Sequence, residues 1–140
     1  MSSHAEPRCT VAIGVALLAA IDGGCSYTPT APAPFALQTT QVLTGSVYPD
    51  GTTTMWLTTR ESGTLSITLT STEPGPVALG LALGILAGGH CEQREHVNAR
   101  PDSVPQIAAS TETGTYCVEV SDLGSVTQSG VKYSLQVLLQ

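Results

Sequence analysis

From about Thr40 onward the chain alternates apolar and polar residues with a period of two. TLSITLTS sets Leu65, Ile67 and Leu69 on one side and Ser66, Thr68 and Thr70 on the other, the pattern of a half-buried strand. TQVLTGSVY runs to the turn signal Pro49-Asp50-Gly51, and TTTMWLTT follows with Met55 and Leu57 opposite Trp56. VALGLALGILAGG places Leu79, Leu81, Leu83 and Ile85 against Gly80, Ala82 and Gly84. Interior glycines cost a helix about 1 kcal/mol each relative to alanine, so the regular two-residue period predicts a strand here. Its small-residue face leaves two readings open: close approach of another backbone, or little packing on that side. PQIAAS predicts a short strand. GTYCVEVSD predicts one with Tyr116, Val118 and Val120 facing the core and Cys117 and Glu119 facing away, and VKYSLQVLL predicts the last. The polar stretch from Gly88 to Pro105 holds neither period and is expected to be a long loop, the kind of segment that a rigid scaffold displays for function.

Short alternating strands separated by Gly/Pro turns predict an all-β chain, an antiparallel β-sandwich of about seven or eight strands in one domain over residues 40–140. Composition agrees: charged residues are 11% and aromatics 4%, too few of the former for a long amphipathic helix. The net charge of −6 and the absence of any Lys/Arg cluster argue against nucleic acid as a partner.

The N-terminal segment reads differently. CTVAIGVALLAAI, from Cys9 to Ile21, is too short for the roughly 20 apolar residues of a membrane span but has the length of a signal-peptide apolar core. Gly23, Gly24 and Cys25 follow, and then the Pro-rich SYTPTAPAPF. This arrangement resembles the N-terminus of bacterial lipoproteins, although Asp22 stands where that family prefers leucine and Glu6 offsets Arg8. The resemblance implies a signal peptide over residues 1–24, acylation of Cys25, and a Pro/Thr-rich tether over residues 25–39 that holds the domain near a membrane of the cell envelope. Each buried acyl CH₂ would contribute roughly 0.8 kcal/mol to that anchor. Secretion after ordinary cleavage is the rival expectation.

In an exported chain so processed, Cys91 and Cys117 remain in the domain and are expected to form a disulfide. GTLSITLTS, GTYCVEVSDLG and the terminal YSLQV together resemble the bacterial pre-peptidase C-terminal domain, a jelly-roll-like sandwich of secreted proteins and lipoproteins. The resemblance covers about Thr40 to Leu139 and implies the fold without implying an activity. Some domains of that family bind calcium through loop carboxylates, for which Asp50, Asp102, Glu112 and Asp122 are the candidates here, but they form no spaced ligand loop. No other cofactor is expected.

Candidate chemistry gathers between His90 and His96. His90, Cys91, Glu92, Glu95 and His96 are ligand types that suit zinc, yet their spacing matches no finger or HExxH pattern. A hydrolase would need one of these histidines beside a serine, and no GxSxG elbow occurs. The expectation is therefore a non-catalytic binding or accessory module, contacting an envelope protein or polysaccharide through His90, Glu92, Glu95, His96 and Trp56. The alternatives are a small metal-dependent or serine hydrolase using the 90–96 stretch, and a structural surface protein that assembles through sheet edges.

Overall fold

The computed structural model describes residues 39–140; the signal-peptide, Cys25 and tether expectations fall on residues 1–38 and lie outside the described residues, apart from Thr39. The described chain is all-β. Its strands are β1 (Thr39–Val47), β2 (Thr52–Thr59), β3 (Gly63–Glu73), β4 (Leu79–Ala87), β5 (His90–Ala99), β6 (Ile107–Thr111), β7 (Gly114–Asp122) and β8 (Val131–Leu139). They form a β-sandwich of two antiparallel four-stranded sheets, ordered β1-β8-β3-β6 and β2-β7-β4-β5. The tight turn after β1, closed by Gly51 N–H donating to the Tyr48 carbonyl at 2.9 Å, carries the chain from one sheet to the other. β1 and β2 are therefore sequence neighbours with different partners, β8 and β7.

The alternating residues meet between the sheets as expected. Leu65, Ile67 and Leu69 of β3 and Leu135 and Val137 of β8 face Leu79, Leu81 and Leu83 of β4 and Val118 and Val120 of β7, and all are buried. Burying a side chain of this size contributes about 1.5–3 kcal/mol, so these rows dominate the fold's stability. Tyr133 is also buried, its hydroxyl 3.9 Å from Met55 Sδ, and burial pushes its phenol pKa up against a lowering contact from Thr53. Gly45, directly across from Tyr133, leaves the room that the ring occupies; a methyl there would run into the phenol.

β5 corrects the loop expected from Gly88 to Pro105. Residues His90–Ala99 form an edge strand hydrogen-bonded to β4, leaving only the Gly88–Gly89 turn and the segment after Ala99 outside a strand. An edge strand with most of its side chains in water has no apolar alternation to betray it, and a register shift against Leu83 and Gly84 breaks what period remains.

The small-residue face of β4 is settled in favour of close approach. A Cβ at Gly84 would collide with the Glu92 carbonyl and come to 3.0 Å of Cys117 Sγ, and one at Gly80 would collide with Ser121 Oγ. The expected Cys91–Cys117 disulfide is present, with Cα atoms 5.8 Å apart. It joins β5 to β7, whose common neighbour β4 lies between them in the sheet order. It therefore staples strand to strand rather than holding down a loop.

The edges are treated unequally. β3 outruns β6, and the segment after β5 finishes that edge: Asp102 N–H donates to the Leu69 carbonyl at 2.9 Å and Gln106 N–H to the Ile67 carbonyl at 3.0 Å, while Gln106 Oε1 accepts from Leu69 N–H at 2.7 Å. β5 carries the charged residues Glu92, Arg94 and Glu95, all exposed. β1 and β2 carry no charged residue.

Candidate functional site: the outer face of the second sheet

Strand alternation sends Thr54, Trp56 and Thr58 of β2 outward, beside Cys117, Glu119 and Ser121 of β7. On β4 the outward residues are Gly80, Ala82 and Gly84. Past the shift in register, β5 adds Cys91 and Gln93 across from Leu86 and Gly84, and His96 and Asn98 across from Ala82 and Gly80. The result is a polar surface with a low floor of small residues and one aromatic ring.

Glu119 is the organised group of this surface. Thr54 Oγ1 donates to its Oε1 at 3.1 Å, and Gln93 Nε2 donates to its Oε2, so the carboxylate is held from a strand on either side. Beside it a shallow depression of about 130 Å³ is lined by Ala82, Gln93, His96, Asn98, Glu119 and Ser121. Enclosed small-molecule sites run to about 300–1,000 Å³, so this hollow suits a group presented by a larger ligand. Trp56 stands directly across from Cys117 and is 47% exposed, offering a ring face and an indole N–H.

The residues proposed from sequence are dispersed by the register shift. His96 faces outward with Gln93, whereas His90, Glu92 and Glu95 pair with Ala87, Ile85 and Leu83 on the other side of β5. His90 and His96 are also separated by roughly 20 Å of extended strand, so they cannot converge on one atom. Glu92 pairs instead with Arg94 at 3.0 Å, an exposed ion pair of small energetic consequence. The bonds of Glu119 run to Thr54 and Gln93 rather than to His96. Thr54, Gln93, Asn98, Glu119 and Ser121 were not singled out by sequence as site residues. Only Glu119 carried a signal, its place opposite the core-facing valines of GTYCVEVSD.

The calcium candidates have other duties. Asp122 Oδ1 accepts from the N–H groups of Gly124, Ser125 and Val126 at 2.8–3.0 Å, and its Oδ2 from Asp50 N–H at 3.0 Å. Asp102 accepts from Ser103 and Val104 N–H, and Glu112 contributes backbone groups to the Tyr116 hydroxyl and the Thr59 side chain. Among the described residues no group of three or more His, Cys, Asp or Glu side chains is placed to hold a metal ion.

A larger hollow, about 320 Å³, opens around the β1–β8–β3 surface between Thr44, Ser46, Ser71, Glu73, Lys132 and Ser134. It has no aromatic wall apart from Tyr133. Comparison with protein-family models and with curated proteins finds no match to this chain.

Proposed function

We propose that this protein is an exported, lipid-anchored, non-catalytic binding module of the cell envelope, similar to the pre-peptidase C-terminal domain, and that it meets its ligand on the outer face of the second sheet. The observation that carries the reading is Glu119, a carboxylate fixed by Thr54 and Gln93 on an open sheet beside a half-exposed tryptophan. Pre-ordering polar groups lowers the entropy cost of binding, and an indole ring adds contact area at small rotamer cost. The separation of His90 from His96 favours binding over a metal-dependent hydrolase that would use both.

Mass spectrometry of the mature N-terminus tests the address: the expected product begins at an acylated Cys25, and an unmodified terminus elsewhere overturns the anchor. Pull-down from envelope extract, with protein and polysaccharide fractions analysed separately, tests the site. Trp56→Ala combined with Glu119→Gln is expected to abolish capture, whereas His90→Ala leaves it intact. The opposite result moves the site to the other side of β5.

A further inference from the structure

The unequal treatment of the sheet edges carries an inference independent of the ligand face. Free strand edges are templates for another strand, and proteins ordinarily blunt them with charge, shortness or a covering segment. Here β3 is finished by the Asp102 and Gln106 segment, β6 has five residues, and β5 is charged. β1 has none of these protections among the described residues. It is nine residues long, uncharged, and paired on one side only, to β8.

The direction of its unpaired groups can be read from one bond. Thr53 Oγ1 donates to the Ser46 carbonyl at 2.8 Å from the β2 side, so Ser46 turns its backbone away from β8. Alternate residues of an antiparallel ladder send their N–H and C=O the same way, which turns those of Thr40, Val42 and Thr44 outward as well. All three are β-branched, the class that best fits a strand, and Val42 is 65% exposed.

This row is self-complementary. Laid antiparallel on a copy of itself about Val42, it sets Val42 against Val42 and Thr40 against Thr44, every facing pair uncharged. Three such pairs exchange about six backbone hydrogen bonds, with threonine hydroxyls meeting across the seam. β2 is a poorer seam because Thr54 is already held by Glu119 and the Trp56 indole projects there. We infer that a second copy of this chain adds to the β1 edge about a two-fold axis through Val42, joining the two first sheets into one continuous sheet.

Sedimentation velocity of the full exported chain over a range of concentrations tests this. The wild type is expected to pass reversibly from monomer to dimer. Val42→Lys places like charges across the axis and is expected to weaken the dimer by about tenfold or more. Val42→Pro removes an outward N–H at an edge position that tolerates proline, and should act similarly. Thr58→Lys, on the β2 edge, is expected to leave the dimer intact. Circular dichroism checks that each variant keeps its fold, and Val42→Cys supplies a second reading: non-reducing gels should show a doubled mass absent from Thr58→Cys. A wild type that stays monomeric overturns the inference. So does a dimer indifferent to every Val42 change, or one lost in Thr58→Lys.

Discussion

Gly84 and Asp122 show how single residues serve this fold by what they lack and what they accept. At Gly84 the missing side chain lets the Glu92 backbone and the disulfide close over β4. Gly84→Ala should destabilise the protein by about 1–3 kcal/mol through overpacking, measured by urea unfolding. Asp122 acts through its charge: desolvation pushes its pKa up, but the N–H donors of Asp50, Val126, Ser125 and Gly124 outweigh this and hold it below the ordinary value of 3.8. A carboxylate with a lowered folded pKa stabilises above its unfolded pKa and loses that contribution as pH falls through the folded one. Thermal unfolding followed by circular dichroism should therefore place Asp122→Asn below the wild type at neutral pH. The gap should narrow as pH falls through 3.8 and below.

Among the elements, the strands with a buried face were legible in the sequence and the edge strand was not. Leu65, Ile67 and Leu69, or Tyr116, Val118 and Val120, alternate because one side of each strand meets the core. β5 meets the core mainly near Val97 and Ala99, and its register shift turns His96 and Gln93 to the same side, so neither its existence nor its facing could be read from spacing. The proposed ligand face was missed for the same reason: Thr54, Gln93 and Glu119 are distant in sequence and join only through three strand registers. The cysteines were legible because their pairing depends on number and compartment rather than on strand facing. Their bond closes a sequence separation of 26, for which chain entropy gives about 3.5 kcal/mol. Replacing both Cys91 and Cys117 with alanine should lower unfolding free energy by about that amount. Chemical denaturation checks it, and β5 should show the greatest loss of amide protection in hydrogen exchange.

At the scale of the whole molecule, two-fold joining at β1 would leave both ligand faces free, since they belong to the second sheet. Two of the proposed sites on one dimer would then act together, so Val42→Lys should reduce apparent affinity for a multivalent surface while leaving affinity for a soluble monovalent fragment unchanged. Surface-immobilised and solution binding measurements separate the two. The order of the first sheet also governs when this protein becomes foldable. β8, the last of the described strands in chain order, sits between β1 and β3, and Thr39 lies opposite Leu139. Until β8 is in place, no strand joins β1 to β3, and their apolar sides stay uncovered. Contacts that span the whole chain form slowly, so this interval is when the nascent protein is most open to proteolysis and to premature association.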